Sequence, residues 1–383
     1  MKKIILSLSC LFCLIGIIFT INAINNKRKY NFINDAVQQF AGNWLKKEIE
    51  KNPDQNIVIS PVSMYTAIAI LTEGADKQAY DELSEILGTQ NIPLSEFNQA
   101  FQKSSALYSP YAKMANSIWG TFFKPTFKKA VKQKFDADVE NIPTTTKPIN
   151  NWVKKKTNGE ITDILPDKEL RTTDHFLVNA VYFEADWLEP FEVTTPNIKF
   201  YTPSGVVLVD MMEQTQEIPY YRDNIMTAVI LKYKNKKDEM TIYLPHKNIS
   251  WDDFISHLTQ SEFIFDFNLQ KVELGLPKFD IDYKTEGEKL INTFKEWNIN
   301  CIFKEGCLRK MGQNAYVQNI IHKAKIKVND KGTIASAASV IQIFGDTLYG
   351  DDTPSIPVVW VNVPFVFKIN DALFIGAIMN PNQ

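Results

Sequence analysis

The chain has 383 residues, 45% of them apolar and 22% charged, a balance that excludes a disordered or polyelectrolyte chain. With 15 glycines and 18 prolines it is neither collagen-like nor of low complexity. Lys and Arg number 42 against 44 Asp and Glu, so the net charge is −2 and nothing in it favours nucleic acid as a partner.

Lys2 and Lys3 precede an apolar run from Ile4 to Phe19, followed by Thr20-Ile21-Asn22-Ala23. This is the order of a secretory leader, and cleavage after Ala23 is expected to give a secreted, extracellular chain. The competing reading is a short membrane anchor. It is weakened by Ser7, Ser9, Cys10, Cys13 and Gly16, and by a run shorter than the about 18 residues a span needs. No later stretch reaches that length, so no membrane partner is expected. Residues 24–383 read as one domain without a linker.

Phe32, Ile33, Val37, Phe40, Ala41, Trp44, Leu45 and Ile49 recur at three and four, which predicts an amphipathic helix. Asn56 to Ser60 is a short strand-like run. Ser60-Pro61-Val62-Ser63 supplies capping and turn residues, and Met64 to Leu71 predicts a buried helix. Ala79, Leu83, Ile86 and Leu87 mark another helix, stopped at Gly88. Lys124, Lys128, Lys129, Lys132 and Lys134 stripe a further helix, read as a solvated face rather than a polyanion site. Asn151 to Ile164 looks helical, with a break at Gly159.

Strands dominate afterwards. Phe176 to Phe183 is continuously apolar, as for a strand covered on both faces. Met226 to Tyr233 and Glu239 to Leu244 predict a hairpin, Phe263 to Leu276 alternates, and Phe365 to Ile369 with Leu373 to Met379 predict a hairpin about Asn370-Asp371. Early helices and later antiparallel strands argue an α+β domain.

Catalytic chemistry is absent from the pattern. The histidines are His175, His246, His257 and His322, and no zinc-protease, nucleophile-elbow, P-loop or dinucleotide motif surrounds them. No catalytic residue, metal site or cofactor is expected. Cys10 and Cys13 leave with the leader, while Cys301 and Cys307 read equally as one bridge or two thiols. Asn248-Ile249-Ser250 is a glycosylation candidate. Asp252-Asp253 and Asp351-Asp352 read as solvated loop charge.

The informative segment runs from Val328 to Phe367. Small residues fill nearly every place from Gly332 to Ser339, and as a strand Thr333, Ala335, Ala337, Ser339, Ile341 and Ile343 share one side. Such a tract suits a strand that slides between two existing strands without clashing. A surface hairpin is the plainer reading. Residues 345–354 are polar and Gly-bearing, as in an exposed loop.

With NIVISPVSM (56–64), HFLVNAVYFEADWLEPF (175–191), LPKF (276–279), IIHKAKIKVNDKGTIASAA (320–338) and PFVFKI…LFIGAIMNP (364–381), the chain resembles the serpin family from about Phe32 to Pro381. The resemblance implies an α+β serpin fold with three β-sheets, eight or nine helices and an exposed reactive-centre loop at about 332–357. It implies a hinge at Gly332 and Thr333 with the tract Ala335, Ser336, Ala337, Ala338 and Ser339. It also implies a shutter of Ser60, Pro61, Ser63, Asn179 and His322, and a breach of Trp187, Lys278 and Asp330. The implied function is suicide inhibition. A target protease is held as an acyl-enzyme while the cleaved loop inserts into the central sheet. That protease is the expected partner, the chain is expected to be a monomer, and a glycosaminoglycan partner is left open.

Two departures stand out. Ile334 replaces the usual acidic residue after the hinge threonine, and Asp330 replaces the usual glutamate. The loop is also several residues longer than usual, which leaves the reactive bond open. Family spacing from Gly332 lands on Asp346–Thr347, with Leu348–Tyr349 and Tyr349–Gly350 as alternatives. No Lys or Arg lies between Lys331 and Lys368, so the expected target is chymotrypsin-, elastase- or cathepsin-like, not trypsin-like. Other readings are a non-inhibitory carrier or storage serpin, an inhibitor of an Asp-specific or cysteine protease, and a hydrolase.

Overall fold

The protein is described here by a computed structural model covering residues 32–104, 109–171, 175–333 and 356–383. The predicted leader, most of the hinge tract and the reactive bond lie outside the described residues.

Helix α1 (Phe32–Lys51) buries Ile33, Val37, Phe40, Trp44, Leu45 and Ile49, the face its spacing predicts. Strand β1 (Ile57–Ile59) leads into α2 (Pro61–Thr72), all twelve of whose residues are buried. Ser60 caps α2 by accepting from the Ser63 amide at 3.3 Å, and Pro61 takes a first-turn place where no amide is needed. Next come α3 (Lys77–Ile86), α4 (Leu94–Lys103) and α5 (Pro125–Phe135). Gly88, with φ of +64°, ends the α3 segment as expected. Helices α6 (Lys147–Lys156), α7 (Trp251–Gln260) and α8 (Glu288–Glu296) bring the α-helices among the described residues to eight.

A five-stranded sheet lies on α2. Its order is β11 (Phe279–Glu286), β12 (Asn319–Val328), β4 (Phe176–Phe183), β2 (Ala112–Gly120) and β3 (Asp138–Asn141). β4 and β12, the two central neighbours, run parallel, while β2–β4 and β11–β12 are antiparallel. As its unbroken apolar run predicts, β4 is buried throughout. Leu177, Val181 and Phe183 face the main core, and Phe176, Val178, Ala180 and Tyr182 face a second cluster. The second cluster is completed by Ile149 and Val153 of α6 and by Ile161, Ile164 and Leu165.

A nine-stranded sheet fills the remainder. Along it lie β1, β16 (Phe374–Ile378), β15 (Phe365–Ile369), β9 (Glu239–Pro245), β8 (Met226–Lys232), β7 (Gly205–Arg222), β10 (Asn268–Pro277) and β14 (Val358–Trp360), with β6 (Val193–Thr202) also on β7. Both predicted hairpins, β8–β9 and β15–β16, are present. A two-stranded ladder joins β5 (Ala185–Asp186) to β13 (Gly332–Thr333). These three sheets and eight helices meet the fold that the resemblance implies.

Two local expectations are corrected and one open reading is settled. The helix expected over 151–164 with a break at Gly159 is α6, which ends at Lys156 and does not resume: Asn158 and Gly159 take left-handed conformations, where that break was placed. Beyond it the apolar residues continue as an extended cover on the sheet. The strand placed at 263–276 begins only at Asn268. Glu262 and Phe263 are left-handed, and Phe265 and Phe267 instead pack on the Tyr221 ring at 4.9 and 6.0 Å. Cys301 and Cys307, left open in sequence, form a disulfide. The lysine stripe falls on α5 and at its start. Lys132 binds Asp136 and Asp138 and Lys134 binds Glu73, so part of its charge is neutralised internally.

Gly376 of β16 has no room for a side chain. A Cβ there meets the Phe367 ring at 2.4 Å and the Ile57 carbonyl oxygen at 2.7 Å. Gly376→Ala is therefore expected to destabilise the fold by about 1–3 kcal/mol through overpacking between two strands. A urea midpoint unchanged from wild type would show that β1 and β16 are not held this closely.

Candidate functional site

Two polar assemblies lie along the seam between β4 and β12. The first sits at mid-strand, where His322 is the register partner of Asn179, and Asn179 that of Asn116 on β2. The Ser60 amide donates to His322 Nε2 at 3.2 Å. Nε2 is therefore an acceptor, so the imidazole proton sits on Nδ1 and is donated to Asn179 Oδ1. The Asn179 amide in turn donates to Ser63 Oγ at 2.6 Å, to the Ser63 carbonyl at 2.9 Å and to Asn116 Oδ1. Ser60 Oγ donates to the Leu373 carbonyl at 2.6 Å, tying in the β15–β16 turn.

Thus Ser60, Ser63, Asn179 and His322 form one buried network, and Pro61 starts the helix that presents Ser63. Burial, which disfavours the charged imidazolium, pushes the His322 pKa down from 6.5 to about 3. The Trp44 ring meets it edge-on at 5.0 Å. Sequence reasoning missed Trp44 and Asn116. Asn116 was traceable, as an inward-parity polar residue between Ala115 and Ser117 in a strand.

The second assembly lies at the C-terminal end of the same pair. The last shared register position is Lys325 with Tyr182. Beyond it β12 continues to Val328 paired with β11, and the chain turns at 329–332. Asn329 closes the turn, its Oδ1 accepting from the Lys331 amide at 3.0 Å and the Gly332 amide at 3.2 Å. Trp187 is buried, donates its indole N–H to the Asn329 carbonyl at 3.0 Å, and stacks on Tyr233 at 4.6 Å. Its amide donates to the Lys331 carbonyl at 2.9 Å.

Lys278 Nζ meets Asp330 Oδ1 at 2.8 Å, so the shorter carboxylate still reaches its partner. Burial alone would raise the Asp330 pKa, but the Lys278 hydrogen bond and charge outweigh it and hold the carboxyl below its usual range. Trp187, Lys278 and Asp330 thus surround one turn. Tyr233 and Asn329 complete it and were not singled out in sequence.

That turn delivers Gly332 and Thr333 into register with Asp186 and Ala185. A Cβ on Gly332 meets the Ala185 carbonyl oxygen at 2.3 Å and Asp186 Cα at 2.4 Å, so glycine is required by close backbone approach. Residues 335–339, 346–349 and the other loop positions lie outside the described residues. Asn248, the glycosylation candidate, is exposed in the turn before α7. Among the described residues there is no group of three or more metal-ligating side chains, and no helix long and apolar enough to cross a membrane.

The neutral His322 has a consequence for pH. Its folded pKa lies below its unfolded value, so the unfolded chain takes up the proton first as pH falls. Its stabilising contribution is complete above about pH 6.5 and is lost as pH falls towards 3. Between pH 7 and pH 5 the fold is expected to lose about 2 kcal/mol from this group. Urea midpoints across that range check it, and His322→Gln is expected to flatten the dependence. An equal acid slope in the variant would place the sensitivity elsewhere.

The family model described as Serpin (serine protease inhibitor) matches residues 35–381. A serine protease inhibitor of Cyanea capillata is 29% identical over 379 residues, covering 90% of this chain and 97% of the relative. Antichymotrypsin-2 of Bombyx mori is 26% identical over 361 residues, with 88% and 94% covered. The structure of human thyroxine-binding globulin superposes with a TM-score of 0.79 at 23% identity, covering 93% of this chain and all of that one. With the family model matched over nearly its whole described length, the chain belongs to the serpin family.

Proposed function

We propose that this serpin is a secreted inhibitor that traps a protease once, by loop insertion, and is not an enzyme. One observation carries the reading: the chain entering the small-residue tract is already paired at Gly332 and Thr333 with β5, directly above the end of the parallel β4–β12 pair. The tract Ala335 to Ser339 follows at once and contains no bulky, charged or proline residue. In this mechanism the protease attacks the loop and an acyl-enzyme forms. The freed loop then enters between β4 and β12, replacing one ladder with two. The parallel direction of the pair suits this, because a strand running back from the top lies antiparallel to both neighbours. The two relatives named as inhibitors agree with the reading. Secretion rests on the leader-like residues 1–23.

Ser60, Ser63, Asn179 and His322 act in it as the catch that holds the central strands together. Trp187, Lys278 and Asp330 hold the point of entry. Gly332, Thr333 and Ala335 to Ser339 are the leading part of the inserted strand. The reactive bond is placed first at Asp346–Thr347 by spacing, with the bonds at Leu348 and Tyr349 as alternatives.

A trypsin-type pocket carries a carboxylate, and no cation between Lys331 and Lys368 is available to meet it. Stable complexes are therefore expected with a chymotrypsin-like protease and not with trypsin, read on denaturing gels with mass spectrometry of the cut bond. Potent trapping of trypsin with cleavage inside this loop would overturn the assignment.

Thr333 shares parity with Ala335 and Ala337, on the side of the inserted strand that faces the core. Thr333→Arg is expected to bury an unpartnered guanidinium at the first step of insertion, a penalty of several kcal/mol. The variant should fold normally, be cleaved, and release the protease. Wild type should form an SDS-stable complex and gain heat resistance on cleavage. If the variant traps as well as wild type, or cleaved wild type gains no thermal stability, the insertion mechanism fails and a carrier or storage role takes its place.

A further inference from the structure

A cavity of about 680 Å³ opens where β9, the start of α7 and the segment between β14 and β15 meet. Its size falls within the about 300–1,000 Å³ of small-molecule sites. Three aromatic rings line it, Tyr201, Trp251 and Trp360, and two nitrogenous side chains stand at it, His246 and Lys247. A second observation points to a ligand. Among the described residues, the buried Trp251 indole N–H meets no hydrogen-bond acceptor. A buried donor left unpaired is unfavourable, and an acceptor held in the cavity would relieve it once the ring turns its N–H that way. His246 is itself fixed, its Nε2 lying 3.1 Å from Thr227 Oγ1.

We infer that this cavity is a binding site for a small planar aromatic anion, such as an aryl carboxylate or sulfonate. The ring system stacks among Trp251, Trp360 and Tyr201, an acceptor oxygen meets the Trp251 indole N–H, and the negative charge lies towards Lys247 and His246. Nothing in the trapping mechanism uses these residues.

The site also touches a weak point of the fold. β14 is a three-residue edge strand whose ladder among the described residues is with β10, and its last residue Trp360 with Asn362, Val363 and Pro364 after it forms one wall of the cavity. Trp360 packs against Gly275, where a Cβ would lie 2.5 Å from its ring, so one side of the indole is already covered. A ligand on the cavity side completes its packing and holds β14 on the sheet. This last consequence bears on the proposed trap, since β14 receives the C-terminal end of the loop, but the binding itself stands apart from it.

The test uses the full chain and 8-anilinonaphthalene-1-sulfonate as probe, with 2-naphthoate as a non-fluorescent competitor. Saturable binding with one probe per chain is expected, displaced by 2-naphthoate. Lys247→Glu should weaken it about ten-fold through charge, and Trp251→Phe, which keeps a ring but removes the donor, by a similar factor. Val363→Trp, which fills the cavity from its rim, should abolish binding. Melting curves check that each variant is folded. Bound probe should also raise the melting temperature of wild type and not of Val363→Trp. Absence of saturable binding up to about 1 mM, or binding indifferent to both Val363→Trp and Lys247→Glu, overturns the site. Binding that persists while protease trapping is absent would leave the site standing and remove only its link to the loop.

Discussion

The hydrogen bond from His322 to Asn179 is the constraint on which the central architecture depends. It joins neighbouring strands at mid-length, and through Asn179 it reaches Ser63, Asn116 and the start of α2. The bond is made by a neutral imidazole because Ser60 N–H claims the other ring nitrogen. Every member is buried, so each partner is needed. The network is complete only while β4 and β12 are adjacent. An intervening strand would roughly double their separation of about 4.8 Å, and these side chains would have to find other acceptors.

The energetics of the proposed insertion follow from this. Seven register positions join β4 to β12, from Asn319–Phe176 to Lys325–Tyr182. Parting them gives up one ladder, and a new strand makes two. The net gain is one ladder, at about 0.5–1.5 kcal/mol for each hydrogen bond, together with whatever apolar surface the new strand buries. Against it stands the cover over the seam. Ile161, Ile164 and Leu165 pack with α6 on β4 and on Ile321 of β12, while Lys325 reaches Glu160 and Lys323 reaches the Asp163 carbonyl. That cover spans both strands, so they cannot part until it shifts. A native state with a barrier of this kind can persist although a better-bonded arrangement exists.

Much of the fold was legible in the residues, and the limits are physical. The α1 periodicity, the Ser60-Pro61 cap and the two-sided burial of β4 are local signals, and each has its structural counterpart. The seam residues were found through family resemblance and not through pattern. Asn179 and His322 are 143 residues apart in sequence, and no periodicity links them. The missed members, Trp44, Asn116, Tyr233 and Asn329, share this property, because each acts through a partner far along the chain or through backbone atoms. Failures of local reading had local causes. Left-handed residues at 158–159 and 262–263 cut short a helix and delayed a strand without interrupting the apolar pattern. The cavity beside Trp251 is formed by three remote segments and left no trace in sequence.

The two assemblies along the seam differ in strength, and the difference orders the opening. At the top, Lys278 and Asp330 are 32% and 21% exposed, and a solvated pair of this kind contributes about 0–1 kcal/mol. The Trp187 hydrogen bonds to Asn329 and Lys331 and the β5–β13 ladder are firmer, but they join the segments that follow β4 and β12, beyond the last shared rung at Lys325–Tyr182. Parting the last rungs below this clasp therefore strands fewer buried side-chain groups than parting the centre, and β12 already runs beyond its pairing with β4 here. At mid-strand, parting the pair strands several buried donors and acceptors at once, at about 1–3 kcal/mol apiece. Thermal motion should open the top often and the centre seldom. An inserting strand that enters at Gly332 can bond the freed edges rung by rung, so the central network meets a ladder already formed above it. The catch then yields to a strand advancing from the top and resists spontaneous opening, which separates triggered insertion from accidental insertion without any change in the residues themselves.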